Sequence, residues 1–165
     1  MELHLILVLI HVVGTILGVG GATLAEVFYL SALKDGKVDA SEKRMMHANY
    51  RMLRVGLLLV ILSGIALVWW WVSVEGNRWP LESPKVWMKD IMVLIIIVNA
   101  VLIAKRWIPM WLGASLSFTW WWGATILGLW RGVPYTFTEI ALGYILAVFI
   151  VAGILEGVRR WYLRN

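Results

Sequence analysis

The side chains best able to hold a metal in this chain are His4, His11 and His47, because its 165 residues include no cysteine. That excludes a disulfide scaffold, thiolate zinc or iron–sulfur ligation, and thiol redox chemistry. A metal would have to use His, Met, carboxylate or Lys. His11 is the most informative of these residues, since it interrupts an apolar stretch about eight residues from its start, a depth of roughly 12 Å along a helix. An ionisable group at such a place costs ~2.5–3.5 kcal/mol on insertion scales, so it implies a partner or a task. Lys89 stands a few residues into another apolar stretch that descends from the same side, so the two groups can meet.

His4, His11, Gly18 and Ala25 recur every seven residues, nearly two helical turns, with Gly14, Gly21 and Ala22 beside them. Two readings fit this stripe. In the first, a glycine-lined groove at Gly14 and Gly18 lets a flat macrocycle lie against the backbone while the His11 imidazole reaches its iron, as histidine does for many haems. In the second, Gly14-x-x-x-Gly18-x-x-x-Ala22 is a small-residue seam of the kind that packs membrane helices closely. His47 lies some 30 Å from His11 at helical rise and cannot share one iron with it. Met88 and Met92 are soft alternatives near Lys89, although methionine in an apolar helix is chiefly filler.

Other polar residues fall at different depths. Glu26, near the far end of the first stretch, is expected to pair with Arg51 or Arg54 at the start of the second. Asn99 is expected to bridge helices, and Glu139 and Glu156 to lie near helix ends within reach of water. Trp120, Trp121 and Trp122 fall near the middle of an apolar stretch, where consecutive side chains point about 100° apart, so at most one or two of them can face the bundle interior.

The elements that must position these residues follow from composition. The chain is 61% apolar and 15% charged, against roughly 25% charged in an average soluble domain. A bilayer crossing needs roughly 20 mostly apolar residues, which allows about five crossings and leaves only short links. Soluble and disordered readings are both excluded. The sequence predicts a single integral-membrane domain over residues 1–165, an all-α polytopic helical bundle of five transmembrane helices at about 3–33, 50–74, 86–104, 109–130 and 138–161. Pro109 suits a first helical turn, and Glu75 to Pro80 reads as a loop.

Basic residues set the orientation. With the N-terminus outside, the inner face holds Lys34, Lys37, Lys43, Arg44, Arg51, Arg54, Lys105, Arg106, Arg159, Arg160 and Arg164, and the outer face only Arg78, Lys85, Lys89 and Arg131. This favours N-terminus outside and C-terminus inside. The net charge of +5 therefore reports orientation in a cell membrane rather than a nucleic-acid partner. The first segment lacks a basic leader and exceeds a signal-peptide core, so it is expected to remain in the mature chain.

Ile10-His11-Val12-Val13-Gly14 leading to Gly20-Gly21-Ala22, then Arg54-Val55-Gly56 with Leu62-Ser63-Gly64-Ile65-Ala66-Leu67, then Val86-Trp87-Met88-Lys89-Asp90-Ile91, resembles the first three helices of the HemJ-type protoporphyrinogen oxidases and their CopD-like relatives. The resemblance covers roughly residues 5–105. It implies a b-type haem, oxidation of protoporphyrinogen to protoporphyrin, and a functional pair formed here by His11 and Lys89. Lys89 would be a second ligand, a proton acceptor or the partner of a haem propionate. Trp87 stands where that family usually has a histidine, and the fifth span is additional.

Three function classes follow. The first is a haem-associated membrane redox protein with His11 as metal ligand and catalytic partner of Lys89, Gly14 and Gly18 at the cofactor, and a porphyrin pocket between spans 1 to 4. The second is a small transporter or channel in which His11, Glu26, Asn99 and Lys89 line a polar path. The third is a cofactor-free structural subunit. Partners are the lipid bilayer, a porphyrin ligand in the first class, and further copies of the chain if it assembles as a homo-oligomer.

Overall fold

The computed structural model describes residues 2–35 and 39–164; Gly36, Lys37 and Val38, in the link expected after the first span, lie outside the described residues. The described residues form six α-helices and no strand: α1 (Glu2–Asp35), α2 (Ala40–Trp69, continued by a π-helical turn at Trp70–Val74), α3 (Trp79–Glu82), α4 (Pro84–Ala104), α5 (Met110–Leu129) and α6 (Phe137–Arg164). Helices are what such apolar runs must form, because a backbone in lipid has to satisfy its own amides. Four segments are long and apolar enough to cross a membrane: Glu2–Ala32, Ala40–Val74, Pro84–Ala104 and Phe137–Arg164.

Helix α2 starts well before the position near residue 50 that the apolar pattern marks. The cause is a capping box. The Asp39 carboxylate accepts from the backbone N–H of Glu42 at 2.7 Å and from the Ser41 hydroxyl at 2.9 Å, while Glu42 Oε2 accepts from the Asp39 N–H at 3.0 Å. These bonds, the Glu42 N–H first, hold the Asp39 carboxyl below its ordinary range. The Asp-x-x-Glu signature is in the sequence; hydrophobicity alone passes over it. Two other boundaries differ. Pro109 is the N-cap of α5 rather than part of its first turn, with an extended ψ of 148°. Of the segment read as a loop, Glu75 to Arg78 is irregular as expected, and only Trp79 and Pro80 enter the single turn of α3.

Helices α1 and α2 form an antiparallel hairpin closed by glycine. A Cβ on Gly14 would stand 2.9 Å from the Gly56 carbonyl oxygen, and one on Gly56 would stand 2.9 Å from the Gly14 oxygen and the Gly18 nitrogen. The two backbones therefore touch, as small-residue seams permit. Asn49 Nδ2 donates to the Gly21 carbonyl at 2.9 Å and locks the register further along.

Helix α5, which covers the fourth expected span, is not among the four segments long and apolar enough to cross a membrane, and it is the most enclosed of the long helices. It packs against α1, α4 and α6, and buries Gly113, Ala114, Ser115, Thr119, Trp120, Trp121, Gly123 and Leu127. Flanking helices supply its surroundings, so it can carry serine, threonine and glycine. It runs antiparallel to α4 over most of that helix. Asn99 Nδ2 donates to the Gly113 carbonyl at 2.8 Å near one end, and Lys85 Nζ donates to the Trp130 carbonyl at 2.6 Å near the other. The core gathers Ala22, Met88, Met92, Ile96, Trp120, Trp121, Leu127 and Ile140. Large apolar side chains such as Leu62, Phe149 and Ile154 point outward along the same helices, an apolar exterior that water-soluble monomers do not show.

Substituting Gly56→Ala drives a methyl into backbone that cannot swing aside, and overpacking of this kind costs about 1–3 kcal/mol. The unfolding midpoint in detergent, read by circular dichroism, should fall. Gly128→Ala, where an added Cβ meets nothing within 4 Å, should leave the midpoint unchanged or raise it.

Candidate functional site

His11 and Lys89 come within electrostatic range of each other but share no hydrogen bond. His11 Nδ1 lies 2.9 Å from Ser63 Oγ, and the Ser63 hydroxyl donates to the Leu59 carbonyl one turn back. With its only hydrogen directed to that carbonyl, Ser63 accepts from His11 Nδ1–H, which leaves the lone pair on Nε2. A ligating histidine is commonly oriented in this way, by a hydrogen bond from its other nitrogen. The ring lies beside Gly64, where a Cβ would be 3.7 Å from His11 Cε1. Lys89 is half-buried, within electrostatic range of His11, and among the described residues takes part in no ion pair. Ser63 and Gly64 are thus the seat of His11, a role that spacing within one helix could not reveal.

Gly14 and Gly18 face protein. The α2 backbone covers Gly14, and the six-membered ring of the Trp121 indole lies on Gly18. Along this stretch the seven-residue stripe is a packing seam, and a macrocycle laid over these two glycines would have to displace α2 or Trp121. His4 sits one face-repeat away among aromatic rings, 5.7 Å from the Trp71 centroid and 6.3 Å from Trp70. His47 is exposed on α2, far along the chain axis from His11. Among the described residues, no three His, Asp or Glu side chains gather into a metal-binding group.

Glu26 does not pair with Arg51 or Arg54. Its partner is Arg159 of α6, with Nη2 to Oε2 at 2.8 Å and both side chains about 5% exposed. The same nitrogen donates to Ser115 Oγ at 2.9 Å and to the Trp111 carbonyl at 3.2 Å, and the guanidinium lies over the Tyr29 ring at 4.9 Å. Arg54 instead lies over Tyr50. The expectation failed because it considered only helices adjacent in sequence, whereas α6 returns to pack beside α1. Asn99 bridges helices as expected. Trp120 and Trp121 are buried and Trp122 is exposed on the opposite flank, in keeping with the 100° step between neighbours. Trp120 stacks on Tyr144 at 5.6 Å with an 11° interplanar angle, and Trp122 Nε1 donates to Thr23 Oγ1 at 3.0 Å.

A cavity of about 520 Å³ opens between α5 and α6, away from His11 and Lys89. Phe118, Trp122, Ile126, Ile140 and Tyr144 form its walls, Gly123, Gly143 and Ala147 make room for it, and Trp130, Tyr135 and Glu139 line one end. Glu139 is committed to the α6 N-terminus, where it accepts from the Thr136 N–H at 2.7 Å and from its hydroxyl at 2.8 Å. Sequence reasoning missed this cavity; the only trace of it is the run of small residues on the facing helices. Compared with protein-family models, curated proteins and solved structures, the chain matches none.

Replacing Glu26 by Gln removes the close, buried partner of Arg159 and leaves it only the half-exposed Glu156 carboxylate at 3.9 Å; breaking a buried pair in this way costs about 3–5 kcal/mol. Glu26→Gln should therefore lower the unfolding midpoint sharply. The double variant Glu26→Leu with Arg159→Met should recover most of the loss, because an apolar pair of similar volume needs no counter-charge.

Proposed function

We propose that this protein is a multi-pass protein of a cell membrane with five spans, N-terminus outside and C-terminus inside, that binds an apolar, membrane-dissolved molecule between α5 and α6. The observation that carries this reading is the cavity of about 520 Å³, within the ~300–1,000 Å³ range of small-molecule sites and built, as such sites are, from apolar and aromatic walls with few polar groups. Tyr144 makes no hydrogen bond to the described residues, so its hydroxyl is the handle for a carbonyl or hydroxyl of the ligand.

The fifth span is α5. Its 20 residues rise roughly 30 Å, the thickness of the hydrocarbon layer, and the hydrogen bonds to α4 at both ends align it with a helix of spanning length. The excess of Lys and Arg at the α1–α2, α4–α5 and C-terminal ends places those ends inside. Since the chain has no cysteine, single introduced cysteines report the topology directly. Arg131→Cys in intact cells should react with a membrane-impermeant maleimide, and Lys43→Cys only after lysis; the opposite pattern refutes the orientation.

For the ligand, solvent extraction of purified protein followed by mass spectrometry should yield a lipophilic compound in near-stoichiometric amount. Gly143→Trp fills the cavity from a position where an added Cβ meets nothing within 4 Å, and should abolish retention without altering the unfolding midpoint. Equal recovery from both proteins would refute the site.

One observation favours a second reading, a haem b-binding, redox-related protein resembling the HemJ-type oxidases. Ser63 leaves the lone pair of His11 on Nε2, so His11 can ligate iron, and Lys89, within electrostatic range of His11, would pair with a propionate or accept a proton. When bound, haem would supply the redox chemistry; the chain's own residues would bind and orient it and hold the proton. A Soret band in the purified protein that His11→Ala abolishes supports this reading, and a colourless protein after haem supplementation rejects it. The transporter reading has less support, because Glu26 and Asn99 are engaged by Arg159 and the Gly113 carbonyl.

A further inference from the structure

A second, smaller cavity of about 70 Å³ lies on the other flank of the bundle, in the cleft where α2 stands beside α4 and α5 with α1 as the floor. Its volume is several times the ~10–15 Å³ that one water requires. It carries three features that the ligand site between α5 and α6 does not explain. Arg54 lines it and, among the described residues, forms no ion pair. Asn99 lines it too and is only 4% exposed; its amide nitrogen is used by the Gly113 carbonyl, while its Oδ1 is buried with no hydrogen-bond partner. The remaining wall, with Leu57 and Ile96, is apolar and continues toward the middle of the bundle.

Depth and charge define what suits this cleft. Asn99 lies five residues before the end of α4 at Ala104, roughly 7.5 Å along the axis, well to the headgroup side of the bilayer's middle. Arg54 lines the same cleft, and an arginine on a membrane helix extends its head toward the interface. The surrounding half of α2 carries Lys43, Arg44 and Arg51 as well, a basic field that attracts anionic lipid. Orphaned Asn99 Oδ1 calls for a hydrogen-bond donor, which a phosphodiester lacks and a hydroxylated headgroup has. The apolar wall calls for an acyl chain, which a free phosphate lacks.

We propose that the α2–α4 cleft is a specific site for an anionic phospholipid with a hydroxyl-bearing headgroup of the phosphatidylglycerol kind. Arg54 holds the phosphate, Asn99 Oδ1 accepts from a headgroup hydroxyl, and an acyl chain runs along Leu57 and Ile96. This site is independent of the proposed α5–α6 ligand site.

The test is native mass spectrometry of the full chain released from detergent after titration with phosphatidylglycerol, phosphatidylcholine or inorganic phosphate. Phosphatidylglycerol should be retained over phosphatidylcholine, and Arg54→Gln should weaken its retention about fivefold, the size of one interfacial arginine's attraction for anionic lipid. Arg54→Lys should restore most of it, and Lys105→Gln, a basic residue at the same end but outside the cleft, should leave it unchanged. Arg54 is exposed, so these variants keep the fold, which an unchanged unfolding midpoint verifies. Equal retention of the two lipids, equal losses for Arg54→Gln and Lys105→Gln, or displacement of the lipid by inorganic phosphate would each overturn the proposal.

Discussion

A bundle embedded in lipid has no water with which to satisfy a buried polar group, and the Glu26–Arg159 pair shows what that demands of this chain. Two charges from residues 133 positions apart meet at 2.8 Å in a place that neither could occupy alone. Because the same guanidinium also binds Ser115 and the Trp111 carbonyl, one interaction fixes α1, α5 and α6 relative to each other. Lesser ties follow the same rule. Asn49 binds the Gly21 carbonyl, Asn99 the Gly113 carbonyl, His11 the Ser63 hydroxyl and Trp122 the Thr23 hydroxyl. Each of these four side chains secures one helix to another.

Close packing does the rest. Hydrophobic attraction between helices is weak when the solvent is itself apolar, so contact area and small residues decide which faces meet. Gly14 against Gly56 lets two backbones touch, and Gly18 accepts the Trp121 ring. Gly123 instead lies against Tyr144, whose ring stacks on Trp120, and beyond that stack α5 and α6 separate enough to leave a cavity. The polar ties and glycine contacts that hold α5 to its other neighbours are what keep that cavity open.

Much of this was legible in the sequence. Apolar run lengths marked the four helices that are long and apolar enough to span, the division of Trp120, Trp121 and Trp122 followed from helical pitch, and Asn99 was read as a bridge. Counts along their helices put His11 and Lys89 at matching depth, and the two fall within electrostatic range of each other. What could not be read was pairing between helices distant in sequence. Glu26 has several candidate arginines, and only the return of α6 to the side of α1 selects Arg159. A glycine stripe likewise states that something comes close without stating whether it is a macrocycle, a tryptophan or another backbone. The early start of α2 was available in Asp39 and Glu42 but obscured by the polarity of the first turns.

The central claim, that α5 is an enclosed fifth span and that it and α6 frame a preformed site for a membrane-dissolved molecule, is tested most directly by a crystal structure grown from a lipidic mesophase. The account predicts continuous elongated density between α5 and α6, in contact with Tyr144 and Gly143, with α5 surrounded by α1, α4 and α6. A structure in which α6 closes onto α5 so that Trp122 and Ile140 fill the space, or in which α5 lies along the membrane surface, would contradict it.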